Sequence, residues 1–244
     1  MSLEGTSVLV TGGTRGIGLA IAHRLVRDGA TRAVLGYMRN DPAAERAAAE
    51  LREAGAEPVL VRGNVASARV VEELAAAGPY RVVVHNAATG VVRSALETED
   101  KHWDWTLNAN ARALLALARA TAPAMTDGSA FVAISSLGSQ RVLENYVLIG
   151  TSKAALEAVV RYLAVELAPR GIRVNAVSAG VVETEALEHF PNKDAMLRTA
   201  ERTPAGRLVE PADVAAAVSF LCSDDAVMMC GHTLVLDGGF SLLA

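Results

Sequence analysis

Short apolar runs alternate along the chain with longer segments of helical periodicity. Ser7–Thr11 is β-branched and apolar, and comparable runs recur at Arg32–Gly36, Pro58–Val61, Arg81–His85, Ala130–Ser135, Ile172–Val177 and Thr233–Leu236. Runs of this length and composition predict buried strands. Between them, apolar positions return at three- and four-residue intervals over Gly16–Arg27, Asp41–Ala54, Ser67–Ala77, Thr98–Ala122, Asn145–Leu167 and Pro211–Leu221, which predicts helices. Gly55 ends the second helix, Thr98 is the predicted N-cap of the long one, and Pro169 and Gly171 close the helix after Asn145. Residues 184–204 read as a further helical excursion. Strands that are apolar throughout and separated by helices predict an α/β, Rossmann-type doubly wound parallel sheet of about seven strands, with helices on both faces. Ligands of such sheets bind at the carboxyl ends of the strands.

No repeat, linker or low-complexity tract interrupts the pattern, so residues 1–244 are read as a single domain. Hydrophobic residues make up 51% and the net charge is -4, which excludes a disordered chain and argues against a dedicated nucleic-acid binder. No apolar stretch is long enough to cross a membrane, and no basic or apolar leader precedes Val8. Cys222 and Cys230 cannot form a disulfide framework, and His23, His85, His102, His189 and His232 lack metal-ligand spacing. The expectation is a metal-free protein of the reducing cytoplasm, with Cys222 a small core residue and Asp224-Asp225 a solvated turn. Only Lys101, Lys153 and Lys193 are lysines among 23 basic residues, so each lysine marks a place where a compact ammonium is wanted.

The first strand runs into Thr11-Gly12-Gly13-Thr14-Arg15-Gly16-Ile17-Gly18, and a helix follows. Glycines permit a tight turn and close approach of backbone to a pyrophosphate, and the helix N-terminus offers it free N–H groups. This arrangement predicts dinucleotide binding. After the second strand, Leu35-Gly36-Tyr37-Met38-Arg39 carries no carboxylate until Asp41. A ribose 2′-hydroxyl is held by an acid at that place. Here Arg15 and Arg39 could instead fork a 2′-phosphate, which predicts NADPH, unless both are solvated surface charges.

Tyr146 and Lys153 are seven residues apart in one predicted helix, so they would share a face roughly 10 Å apart along the axis. Ser135 and Ser136 end the fifth strand at the ligand-binding edge. A tyrosine hydroxyl can hold a substrate oxygen and give it a proton. A nearby ammonium would lower that phenol's pKa and could hold the nicotinamide ribose. A Tyr–Lys pair on one helix could also be a plain exposed face; the glycine loop, the strand-end serines and the scarcity of lysine favour hydride transfer.

Together with Asn86-Ala87-Ala88, Asn110, Asn175-Ala176-Val177-Ser178-Ala179-Gly180, Thr184 and Val235-Leu236-Asp237-Gly238-Gly239, these features resemble a short-chain dehydrogenase/reductase over essentially the whole chain. That family has Tyr-x3-Lys, which would put tyrosine at 149; residue 149 is Ile, and Tyr146 gives Tyr-x6-Lys. This spacing is similar to that of enoyl-acyl-carrier-protein reductases. The segments His102–Thr106, Leu143–Tyr146, Arg161–Leu167, His189–Asn192 and Thr203–Arg207 resemble the NADPH-dependent enoyl reductase III subgroup. His85 in place of the family's Asn, and Ala179 in place of its proline, point the same way.

The resemblance implies roles. Gly12, Thr14, Arg15, Gly16, Ile17 and Gly18 would line the pyrophosphate and adenosine side, and Arg39 would take the 2′-phosphate. Asn64 and Val65 would lie by the adenine, and Asn86 and Ala87 by its ribose. Lys153 would hold the nicotinamide ribose, and Val182 and Thr184 would contact the carboxamide. Tyr146 would be the proton donor, Ser136 would stand at the catalytic serine position, and Asn110 would support Lys153 in a proton relay. Residues 185–204, with Leu187, Phe190, Met196 and Leu197, would form a lid over an acyl chain. Trp103 and Trp105 are read as core or subunit-interface residues, and a homotetramer is implied. The expected activity is reduction of trans-2-enoyl thioesters on acyl-carrier protein or CoA. The alternatives are a carbonyl reductase on the same skeleton and a non-catalytic NADPH-binding regulator.

Overall fold

All seven apolar runs become parallel strands of one sheet. The computed structural model describes residues 3–184 and 193–243. The strands are β1 (Ser7–Thr11), β2 (Arg32–Tyr37), β3 (Glu57–Arg62), β4 (Val82–His85), β5 (Ala130–Ser136), β6 (Arg173–Ala179) and β7 (Thr233–Leu236). Their order is β3-β2-β1-β4-β5-β6-β7. The order reverses between β1 and β4, where Thr11 stands in register with His85. The loops leaving those two strands diverge there and open a crevice at their carboxyl ends.

Side chains alternate across each strand and feed two cores. Val8, Val10, Val82, Val84, Val132 and Ile134 pack on one face with α1 (Gly16–Arg27) and α9 (Pro211–Cys222). Leu9, Val83, Phe131 and Val174 pack on the other with α3 (Ala68–Ala76), α5 (Ala113–Thr121) and α6 (Val147–Leu167). Sheet faces covered on both sides explain why the strands read as continuous apolar runs. Between β2 and β3 lies α2 (Asp41–Glu53), and two short helices, α7 (Lys193–Leu197) and α8 (Thr199–Arg202), precede α9. Cys222 is buried in the first core, and Asp224 and Asp225 are exposed.

Three features depart from the sequence expectation. The long helix starts at α4 (Asp100–Leu107), not at Thr98. Glu99 is its N-cap, and the Glu99 backbone N–H donates to His102 Nδ1 at 3.2 Å. That helix is then broken by a π turn at Asn108–Arg112 before α5 resumes. Finally, α6 begins at Val147. Tyr146 is its N-cap residue, preceded by Asn145 at φ 59, so Tyr146 is not a helix-face residue. Trp103 and Trp105 are substantially exposed and form no part of either core. Leu187 and Phe190 of the anticipated lid lie outside the described residues. Met196 and Leu197 are half-buried on α7.

Candidate active site

The glycine loop is held by groups leaving β4. A Cβ on Gly18 would fall 2.1 Å from the Gly12 carbonyl oxygen and 2.6 Å from Asn86 Nδ2, so only glycine fits there. Gly12 itself adopts φ +64. Asn86 Nδ2 donates to the carbonyls of Thr11 and Gly12 at 3.1 and 3.0 Å. Thr11 Oγ1 accepts the N–H groups of Asn86 and Ala87, both at 3.1 Å. With its lone pairs used, that hydroxyl donates to His85 Nδ1 at 3.2 Å. The proton of His85 therefore sits on Nε2, which donates to the Asn110 carbonyl at 3.0 Å. Burial, aided by the Lys153 charge, lowers the His85 pKa to about 4, so this imidazole is neutral at pH 7.

No side chain caps α1, whose N-cap is Arg15, and its first turn carries no acid. An uncapped, acid-free helix start beside a loop that excludes any Cβ fits a dinucleotide pyrophosphate. Thr14 is buried, Ile17 packs on the first core, and Thr184 lies against Gly16, where a Cβ would meet Thr184 Cγ2 at 3.6 Å. Val182 bridges to Val209, which fixes the segment after β6 near this helix start. At the far end of the crevice Arg39 is exposed. Asp41, the nearest carboxylate, accepts the Tyr37 hydroxyl at 2.9 Å and pairs with Arg62 at 3.4 Å. Asn40 caps α2 through the Ala43 N–H at 3.0 Å. The acid that could take a 2′-hydroxyl is thus engaged by Tyr37 and Arg62. Asn64 turns its Oδ1 to the Ala66 N–H at 2.9 Å, and Val65 beside it is buried.

The carboxyl end of β5 meets α6. Lys153 Nζ donates to the Ile134 carbonyl at 2.6 Å, and the Tyr146 hydroxyl lies 3.5 Å from Ser136 Oγ. Residue 149, where the family's tyrosine would stand, is a buried Ile packed against Gly90, whose Cβ would meet it at 2.3 Å. Lys153 is 5% exposed, and burial lowers its pKa to about 8 against the opposing influence of Glu157. Tyr146 behaves differently from the expectation. Burial raises its pKa above the usual phenol value, and only the Ser136 contact pulls the other way. The Lys153 ammonium donates to the Ile134 carbonyl rather than to the phenol. Asn110 is fully buried in the π turn. Its side chain accepts the Thr89 N–H at 2.8 Å and donates to the Thr89 carbonyl and Ser152 Oγ at 2.9 and 2.8 Å. It reaches the site through its backbone carbonyl, which His85 occupies, and not through a side-chain contact to Lys153.

Residues 12–241 match the family model described as enoyl-(acyl carrier protein) reductase. The chain belongs to the short-chain dehydrogenase/reductase family. It is 36% identical over 244 residues to 1-cyclohexenylcarbonyl-CoA reductase of Streptomyces collinus, covering 97% of this chain and 87% of that one. It is 35% identical over 240 residues to dehydrogenase/reductase SDR family member 4 of Homo sapiens, covering 95% and 86%. A short-chain dehydrogenase from Burkholderia cenocepacia, solved in complex with NADP, superposes with a TM-score of 0.90 at 31% identity, covering 99% of this chain and all of that one.

Two functional candidates escaped the sequence reading of this family member. The side chains of Thr11 and His85 meet across the β1–β4 gap, a contact that only strand order creates. Glu157, 4% exposed, receives the Ser135 hydroxyl at 2.5 Å. Its signal was available: it follows Lys153 by four positions, and a carboxylate on an otherwise buried helix face needs a reason. Among the described residues, no three His, Cys, Asp or Glu side chains gather as a metal site, and no helix is long and apolar enough to cross a membrane.

Proposed function

We propose that this protein is an NADPH-dependent reductase of the trans-2 double bond of enoyl thioesters. The observation that carries this reading is the displacement of the phenol. Tyr146 occupies the N-cap of α6 beside Ser136, while a buried Ile fills position 149. In a carbonyl reductase the proton donor stands next to the carbon that receives hydride. In an enoyl thioester, hydride goes to the β-carbon and negative charge collects on the thioester oxygen, two bonds farther on. A donor moved away from the lysine by nearly one helical turn suits that displaced oxygen. The family model's description and the CoA-thioester named for the Streptomyces relative support the same substrate class.

The bound cofactor supplies hydride. Gly12, Gly16, Gly18 and the open start of α1 would hold its pyrophosphate, and Arg39, with Arg15 across the loop, its 2′-phosphate. The engaged Asp41 and the NADP-bound Burkholderia structure support NADPH over NADH. Lys153 would turn from Ile134 to the nicotinamide ribose. Val182 and Thr184 would border the carboxamide; Asn86 and Ala87 would border the adenosine ribose, and Asn64 and Val65 the adenine. Tyr146 Oη holds the thioester oxygen and donates its proton to that oxygen as hydride reaches the β-carbon, while Ser136 orients the phenol. The enol so formed becomes the saturated thioester by taking a proton from water at the α-carbon and releasing the one on oxygen back to the tyrosinate. Because burial keeps the phenol protonated, it enters the reaction as an acid. Asn110 acts as a scaffold for the loop at Thr89 and for Ser152. Residues 185–204 would cover the acyl chain. The acyl group would arrive on acyl-carrier protein or CoA, in the cytoplasm. A homotetramer is the proposed assembly, with exposed Trp103, Trp105, Tyr162 and Val165 on the outer faces of α4 and α6 available for subunit contact.

The test supplies crotonyl and acetoacetyl thioesters separately and follows NADPH consumption. The enoyl reading expects turnover of crotonyl thioester, with Tyr146→Phe losing at least about a hundredfold in kcat while NADPH binding is retained. Turnover of acetoacetyl thioester alone would establish the carbonyl-reductase alternative. NADPH binding without turnover of either would favour a regulator.

A further inference from the structure

We propose that Glu157 is a positioning residue for Lys153, a buried carboxylate one helical turn beyond it that balances its charge and ties α6 to the end of β5. The inference rests on Lys153 serving the reaction. Three consecutive residues of β5 each hold one side chain from α6 or its N-cap. The Ile134 carbonyl accepts Lys153 Nζ at 2.6 Å, Ser135 Oγ donates to Glu157 Oε1 at 2.5 Å, and Ser136 Oγ lies 3.5 Å from the Tyr146 hydroxyl. Gln140 Nε2 reaches the second oxygen of Glu157 at 3.4 Å. The glutamate therefore anchors the middle of a tripeptide whose ends set the lysine and the tyrosine.

Both partners donate to Glu157, so a glutamine, with its single acceptor oxygen, would answer Gln140 only if that amide turned its own oxygen inward. The charge is a second reason for a carboxylate here. Lys153 and Glu157 are 5% and 4% exposed, and a buried ammonium without a counter-charge sheds its proton. Among the described residues, the titratable groups that interact with Lys153 are His85 from β4, which is neutral at pH 7, and Glu157, the carboxylate that acts on it. Glu157 thus keeps the lysine cationic in a dry site, where it must hold ribose hydroxyls and attract charge on the reacting oxygen.

The chain's three lysines make a direct test practicable. The intact protein is labelled with [ε-13C]lysine and titrated by NMR with and without Glu157→Gln, and the pH profile of kcat is recorded in parallel. The expected result is a fall of about one unit in the Lys153 midpoint, with a matching acid shift of the alkaline limb of kcat. Ser135→Ala removes the same hydrogen bond but no charge, and should leave the midpoint in place. An unchanged midpoint in Glu157→Gln, or an equal fall in Ser135→Ala, overturns the proposal. If the glutamine variant does not fold, Glu157→Asp carries the test. It retains charge and should retain the wild-type midpoint, and a full-unit fall there is equally refuting. The NMR readout needs no substrate, so an inactive wild type on both thioesters would fault the proposed function, while the Lys153 midpoint would still decide separately whether Glu157 balances the lysine's charge.

Discussion

Gly138 offers a steric probe of where the Tyr146 ring must sit. It lies in the turn after β5, at a φ that L-residues accept, so Gly138→Ala introduces no backbone strain. A Cβ there would stand 2.6 Å from both Cδ1 and Cε1 of Tyr146, with Leu143 Cδ1 next at 3.4 Å. Carbon–carbon contacts relax near 3.5 Å or beyond, so the ring must withdraw by roughly 0.9 Å. The Tyr146–Ser136 contact, already 3.5 Å, has no slack to absorb that movement. Displacing a catalytic group by about 1 Å can cost on the order of a hundredfold in rate, or about 2.7 kcal/mol in the barrier. Overpacking should cost about 1–3 kcal/mol in stability, which for a chain of this size lowers Tm by several degrees without unfolding it. The assay compares kcat on saturating enoyl thioester with the NADPH dissociation constant from fluorescence. A loss of roughly tenfold to a hundredfold in kcat, with NADPH affinity within about twofold, is expected. The glycine loop, over on β1, feels nothing of the substitution. A folded Gly138→Ala variant with wild-type kcat would show that the phenol's position does not matter to the chemistry, and Tyr146 would cease to be the acid.

Other outcomes follow from the same geometry. Arg39→Ala should raise KM for NADPH by about tenfold or more and leave KM for NADH unchanged, since only the 2′-phosphate contact is lost; steady-state kinetics with both nucleotides decides it, and parallel losses would remove Arg39 from the phosphate site. His85 is protonated near pH 6.5 when unfolded but only near 4 when folded, so the unfolded chain binds the extra proton and stability falls as pH drops through that window. Between pH 7.5 and 5 this amounts to about 2 kcal/mol. Urea unfolding at the two pH values should show that loss in the wild type and a much smaller one in His85→Asn; equal losses would refute the buried neutral imidazole.

The strands were legible because a sheet covered on both faces leaves no polar alternation to blur them, as Val82–His85 and Ala130–Ser136 illustrate. The glycine loop was legible because Gly18 answers a contact within its own turn. The start of α6 was not. Helical spacing runs on through Tyr146, but Asn145 at φ 59 turns the chain and the ring seats against Gly138, a partner fixed by the end of β5 rather than by neighbours in sequence. The π turn at Asn108–Arg112 likewise has no local signature. It coincides with the residue whose side chain ties down Thr89 and Ser152 and whose carbonyl meets His85. The expected acidification of Tyr146 failed for an energetic reason. Spacing predicts proximity of lysine and phenol, but burial raises the phenol and only the Ser136 contact opposes it.

These departures are connected. A neutral His85 joins the Thr11 hydroxyl at the glycine loop to the Asn110 carbonyl in the π turn, and the Asn110 side chain joins that turn to Ser152, the residue before Lys153. The glycine loop and α6 therefore share one hydrogen-bonded chain with no solvent-exposed link. An asparagine at position 85, the family's usual residue there, is too short to span both partners. The histidine thus ties the end of β4 to the π turn, while the counter-charge acting on Lys153 comes from Glu157 on its own helix.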